Sequence, residues 1–291
     1  MKEDRFQFNL FAQTFLLFGA VFAVAFAISV PVSEEVESIN TVASVSNSVS
    51  SGQPVVFLFS FALVTIVAFI LVKNLKNDGF WKMFFGLGAF AGLFITLLYS
   101  LLYVTSLQVA YSVAVIGAVV ILIVRAISKR IWLHNLVIVL SAAGVARLFG
   151  IQFVPESTAL ILAILALYDI IAVYMSKHML QMARTLFDRQ AFFGLIIPPT
   201  ITGWKKKLAD LSPGENISAI GAGDIALPLF FALSHLFHTG VLAFWVVTGF
   251  IFLGVIAMHT LHVYPARKRP MPALPPLVLF AFIGHWFLGL L

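Results

Sequence analysis

A chain of 291 residues that is 61% hydrophobic and only 10% charged cannot cover a soluble globule, for which charged residues are about 25% of the total. A mean hydropathy of +1.05 excludes a disordered chain. The formal net charge of +6 arises from basic residues that mark membrane sidedness, so no nucleic-acid partner is expected. The sequence contains no Cys, which removes disulfides, thiolate nucleophiles and Cys-based metal sites.

A membrane-spanning helix needs about 20 mostly apolar residues. Nine segments meet or approach that length: 8–31, 54–73, 80–104, 108–126, 131–149, 157–177, 219–237, 239–262 and 273–291. Their apolar runs are continuous rather than alternating, which predicts helices and not barrel strands. The expected fold is an all-α integral membrane protein of nine transmembrane helices, forming one membrane-embedded domain over 1–291. In the first span, Ala25-Phe26-Ala27 has the form of a signal-peptidase site. The apolar run is long for a signal peptide, and Glu3 and Asp4 dilute the leading positive charge, so a retained span is the favoured reading. The acidic, Ser-rich stretch 32–53 then reads as a flexible outside loop.

Basic residues set the orientation. With Lys2 and Arg5 inside, alternate connections place Lys73, Lys76 and Lys82, then Arg125, Lys129 and Arg130 on the same side. Lys177, Arg184, Arg189, Lys205, Lys206 and Lys207 follow there, then Arg267, Lys268 and Arg269. Only Arg147 falls outside, so seventeen of the 18 basic residues share one face. The N-terminus is therefore expected in the cytoplasm and the C-terminus outside. The longest cytoplasmic loop, 178–218, contains the apolar stretch AFFGLIIPPTITGW at 191–204. As a helix it would reach about 21 Å, short of the ~30 Å bilayer core, and Pro198-Pro199 would break it. It is expected at the interface or packed against the bundle.

Two acidic residues stand inside spans: Asp169 in LAILALYDIIAVY and Asp224 in AIGAGDIALPLF. An intramembrane carboxylate costs at least ~3 kcal/mol and marks function by default. Asp169 precedes Lys177 on a span running inward, about 12 Å above the inner boundary. Asp224 lies about 6–10 Å in from the same boundary on the next, antiparallel span. Two apposed carboxyls share a proton, so one serves as general base on water and the other as general acid, which is the chemistry of amide hydrolysis. Taken alone, the pair fits equally a proton or ion relay in a transporter or leak channel.

The flanking residues add to this. Gly221 and Gly223 remove side chains next to Asp224, where backbone must come close to another segment. Tyr168 offers a hydroxyl beside Asp169. Pro270, Pro272, Pro275 and Pro276, in RPMPALPPL, force an extended or kinked entry into the last span at the same depth. Irregular backbone at membrane depth is tolerated where it lines a cavity or is buried in protein.

Together, Tyr168-Asp169, Gly221-Ala222-Gly223-Asp224 and Pro272-Ala273-Leu274, in this order and on a nine-span chain, resemble the presenilin and signal peptide peptidase family of GxGD intramembrane aspartyl proteases. The resemblance is strong over 157–291; the first five spans match in number and length. It implies that Asp169 and Asp224 are the catalytic pair. It implies further that Tyr168, Gly221, Ala222 and Gly223 shape the site, and that Pro272-Ala273-Leu274 holds its conformation and helps receive substrate. The orientation looks like presenilin, Pro228 like the peptidase branch and Pro275 like presenilin again, as in a microbial homologue. The implied function is endopeptidase cleavage within transmembrane helices of single-pass substrates, without cofactor or metal. It implies a place in a prokaryotic cell membrane, in contact with lipid. Auxiliary subunits are not expected to be required, and the chain is compatible with a homo-oligomer. The histidine pairs His235/His238 and His259/His262 lack a third ligand for Zn²⁺. No HExxH and no Ser/His pair in a rhomboid-like context occurs. Prepilin peptidases share a GxGD but not the YD and PAL elements.

Overall fold

The apolar runs fold as helices because no water is available inside a bilayer to satisfy backbone groups, so each segment must satisfy its own. The computed structural model describes residues 2–30, 53–74, 77–176, 186, 191–208, 218–263 and 272–290. Among them are nine α-helices: α1 (Lys2–Ser29), α2 (Gln53–Asn74), α3 (Asp78–Leu102), α4 (Leu107–Ser128), α5 (Ile131–Gln152), α6 (Pro155–Ile171), α7 (Ala222–His238), α8 (Val241–Val263) and α9 (Leu274–Leu288). Six are long and apolar enough to cross a membrane by length and composition: α1, α3, α4, α5, α6 with its extension, and α8. Three apolar stretches are shorter: Pro54–Val67 within α2, and the whole of α7 and α9. The 32–52 part of the expected outside loop, most of the 178–218 loop and Arg267-Lys268-Arg269 lie outside the described residues.

The expectation of an all-helical chain needs correction. Residues Gly194–Ile197 (β1) and Ser218–Gly221 (β2) form a two-stranded antiparallel sheet, with Gly194 opposite Gly221 and Leu195 opposite Ile220. Span seven, expected from 219, thus begins as a strand and becomes helix only at Ala222. The physical reason is in 191–204: Pro198-Pro199 deny a helix, yet GLII is apolar and β-branched at its end, so it buries as strand with all four residues inside. A 3₁₀ turn, Ile201–Lys205, follows.

Helix α5 is the hub. Nearly three quarters of its most apolar window is buried (72%), against 17% for α4. Small residues bring α3 against it: a Cβ on Gly92 would sit 2.3 Å from the Ser141 carbonyl oxygen, and one on Gly144 2.2 Å from that of Gly92. Thr96 Oγ1 donates to Leu140 O at 2.6 Å and Ser141 Oγ to Ala89 O at 2.9 Å, as in close-packed membrane helices. On its other sides α5 packs against α7 and α1, while α9 packs against α8 and α6.

Arg147, the one basic residue assigned outside, is 1% exposed on α5. Its Nε donates to Ile28 O at 2.9 Å, and its guanidinium lies 3.3 Å from the centroid of the Tyr99 ring. Tyr103 Oη donates to Ala27 O and Val30 O. These groups satisfy carbonyls that the last turn of α1 cannot bond internally, and they set positive charge at its negative end. The first span is thereby an integral part of the core, with Phe18, Val21 and Ala25 fully buried.

Candidate active site

Asp169 sits near the C-terminal end of α6 and is 7% exposed. Immediately after it the helix widens into a π-turn, Ala172–Ser176, and the Ala172 N–H donates back to the Asp169 and Tyr168 carbonyls. Such π segments recur at functional sites because they re-aim side chains at little cost to the helix. Asp224 sits in the first turn of α7, half-buried. Its helix starts here because Gly221 ends β2 as the N-cap and the Ala222 N–H is taken by Phe193 O at 3.0 Å.

The three sequence elements meet. The Leu274 N–H, the first residue of α9 after Pro272-Ala273, donates to Asp169 Oδ2 at 3.2 Å. Pro275 and Pro276 occupy the first helical positions, where the missing N–H groups would have had no intrahelical partner, so the Leu274 amide is what this end can offer a carboxylate. Pro272 and Leu274 are buried and Ala273 partly so. On the other side, a backbone hydrogen bond joins Gly221 to the Asp224 carboxylate, and the two aspartates lie within electrostatic range of each other. A site of this kind holds two carboxyls whose proton affinities are interdependent.

Not every expected residue plays the expected steric part. Gly221 meets the carboxylate of its own segment and not another one: a Cβ there would lie 3.1 Å from Asp224 Oδ2. Gly223 does not, since a Cβ there would meet nothing within 4 Å. Its close approach to another segment is therefore corrected to open space beside Asp224. Tyr168 is 47% exposed while its neighbour Asp169 is buried. Consecutive helical residues diverge by about 100°, so the two side chains leave α6 in different directions. The histidines also resolve differently. His235 is buried, with Nε2 2.9 Å from His285 Nδ1, and joins α7 to α9. His259 packs against Phe11, with ring centroids 4.8 Å apart and the rings tilted by 48°, while the side chain of His262 lies outside the described residues. Among the described residues no group of three His, Asp or Glu could hold a metal ion.

One set of residues goes beyond the sequence reading. Asn135 on α5 donates from Nδ2 to Ile196 O at 2.7 Å, and its Oδ1 accepts from the Ile196 N–H at 2.9 Å. This side chain reproduces the two bonds that a neighbouring strand would make. His134 Nε2 lies 2.9 Å from Gly194 O, while its Nδ1 faces Arg125 Nη2 at 3.1 Å. As the carbonyl can only accept, the His134 Nε2 carries the proton. From α1, Gln13 Nε2 reaches Pro198 O at 3.3 Å and its Oε1 accepts from Trp204 Nε1 at 2.6 Å. The outer edge of β1 is thus fully covered by α5, and β2 is carried on β1. A buried His-Asn pair within an apolar span was the available signal, by the reasoning that singled out the aspartates.

This fold is shared with two solved structures, each described as a presenilin family intramembrane aspartate protease, in the C222 and P2 space groups. They match with TM-scores of 0.63 and 0.63 at 21% and 20% identity, covering 94% and 95% of this chain and 94% and 96% of theirs. The architecture is that of a presenilin-like integral membrane protein. A profile described as signal-peptide peptidase, presenilin aspartyl protease matches residues 13–291. The chain belongs to that family, and it is an enzyme of the aspartic hydrolase class. No curated protein matches it.

Proposed function

We propose that this chain is an intramembrane aspartyl endopeptidase that cuts peptide bonds within transmembrane helices of single-pass substrates, with Asp169 and Asp224 as its catalytic pair. The observation that carries the reading is the Leu274 N–H on Asp169 Oδ2: it brings the PAL element onto one carboxylate, while Asp224, at the start of α7, lies within electrostatic range of it. The ionised carboxylate takes a proton from water, and the hydroxide adds to the scissile carbonyl as the protonated partner donates to its oxygen. Collapse of the tetrahedral adduct then transfers a proton to the leaving nitrogen. No cofactor or metal enters these steps.

All nine helices cross the bilayer in this reading, with the N-terminus cytoplasmic. The 17 residues of α7 span about 25 Å and the 15 of α9 about 22 Å, each short of a ~30 Å core. The segments that precede these helices, strand β2 and the non-helical Pro272-Ala273, make up the difference at the inner end. Both irregular stretches then sit at membrane depth beside the aspartates, where they line a water-containing site. A helical substrate hides its carbonyls in its own hydrogen bonds and must unwind to react. Since α5 covers β1, the edge open to an unwound strand is that of β2, a recognised mode of peptide binding. The chain acts without auxiliary subunits, in a prokaryotic cell membrane.

The test is mass spectrometry of fragments after the purified chain is reconstituted with a transmembrane peptide. Wild type should yield new internal termini, and Asp169→Ala and Asp224→Ala should each lower the rate by at least ~10³-fold while melting like wild type. Appreciable cleavage by both variants would sink the assignment. Gradient-driven flux in sealed vesicles without fragments would replace it with transport.

A further inference from the structure

Three side chains cover the edge of β1 that faces the helices, and each bonds a different residue. His134 on α5 bonds Gly194, Asn135 bonds Ile196, and Gln13 on α1 bonds Pro198. Of these three contacts, the first falls opposite the start of the Asp224 helix. Gly194 pairs across the sheet with Gly221, the N-cap of α7. One residue earlier, Phe193 O accepts from the Ala222 N–H at the first position of that helix. Asp224 follows two residues later, its carboxylate bonded to the Gly221 backbone. At this rung the strands approach more closely than a side chain permits: a Cβ on Gly194 would lie 2.3 Å from Ile220 O. A displacement of Gly194 is therefore passed directly to the segment that carries Asp224.

His134 is held so that it fixes that rung. It is fully buried. Its ring lies 23° from parallel with that of Phe85, at 5.7 Å between centroids, and Phe85 packs in turn on Phe193 at 4.7 Å. In this orientation both ring nitrogens are committed: Nδ1 faces the Arg125 guanidinium, which only donates, and Nε2 donates to Gly194 O. A buried carbonyl needs a donor, so without the ring the strand shifts to find another. We infer that His134 is a positioning residue for the reaction: by holding Gly194 O it fixes the rung from which Asp224 is presented to the scissile bond, and it exchanges no proton with substrate. The role rests on the proteolytic reading. It differs from that of Asn135, whose bonds fall two residues further along β1.

Glutamine carries its amide nitrogen to the reach of the ring Nε2, whereas asparagine stops at that of Nδ1. With the reconstituted chain, His134→Asn should lower kcat about tenfold with KM within about twofold of wild type, and His134→Gln should keep kcat within about threefold. The pH profile of kcat for His134→Gln should superimpose on that of wild type, because a positioning residue brings no titration of its own into it. Amide exchange in peptides covering 218–230 should quicken in His134→Asn and not in His134→Gln. Thermal melts verify that both variants fold. Where His134→Asn does not melt as one transition, Phe85→Leu takes its place: it leaves the donor, removes the ring stacked on it and should lower kcat about threefold. Wild-type kcat in His134→Asn, or in Phe85→Leu where that stands in, overturns the role and leaves the proteolytic reading intact. So does a folded His134→Gln that is as slow as His134→Asn or has an altered pH profile. An absence of fragments from wild type removes the proteolytic reading itself, and the role in turnover with it.

Discussion

Asn135→Leu isolates the support of strand β1. Asn135 is 1% exposed and bonds both the N–H and the C=O of Ile196, which is itself fully buried with Ile131, Phe192 and Leu208. Leucine keeps the volume but leaves two buried backbone groups unsatisfied, at about 1–3 kcal/mol each, or about 2–6 kcal/mol together. Leu195 and Ile197 bond β2 from the opposite edge, so the cost falls on docking of the sheet against α5 and not on strand pairing itself. Hydrogen exchange read by mass spectrometry on peptides covering 191–208 should show protection reduced by at least ~30-fold, the lower bound of that range. Peptides from α8 should be unchanged. Cleavage should fall as well, since β2 and the Asp224 helix start are carried on β1. Protection of 191–208 within threefold of wild type would refute the idea that Asn135 acts as a surrogate strand.

Gly221→Ala sets a Cβ 3.1 Å from Asp224 Oδ2 at a φ of −60° that alanine tolerates. It should therefore displace the carboxylate by a few tenths of an ångström and lower kcat about tenfold, with an unaltered melting profile; wild-type kcat would remove the steric role of this glycine. Arg147→Met deletes the charged donor to Ile28 O, a bond worth about 1.5–3 kcal/mol. Thermal inactivation in detergent should move down by about 3 °C or more, and an unshifted midpoint would mean that Tyr103 alone caps α1.

The sequence reading located the aspartates for a physical reason. In a chain with 10% charge, every acid inside an apolar run is conspicuous. It also placed Pro272-Ala273-Leu274 near the same depth, because proline has a local signature. It did not reveal why that segment matters, since the Leu274 amide carries no side-chain signal and its acceptor is Asp169, far away in sequence. Gly221 and Gly223 looked alike in sequence but differ in space, one against its own carboxylate and the other open. The stretch 191–204 was recognised as too short to span, yet its strand form depends on partners at 218–221 and at Asn135.

What the sequence determined by itself is therefore the set of apolar helices. Inside a bilayer each helix must satisfy its own backbone, so its existence is a local property written in about 20 consecutive residues. What only the tertiary structure decided is the irregular backbone around the aspartates: β1 on β2, Asn135 on Ile196, and the Leu274 amide on Asp169. Those groups are satisfied by partners remote in sequence, and pairing at a distance leaves no periodic trace in the residues that make it.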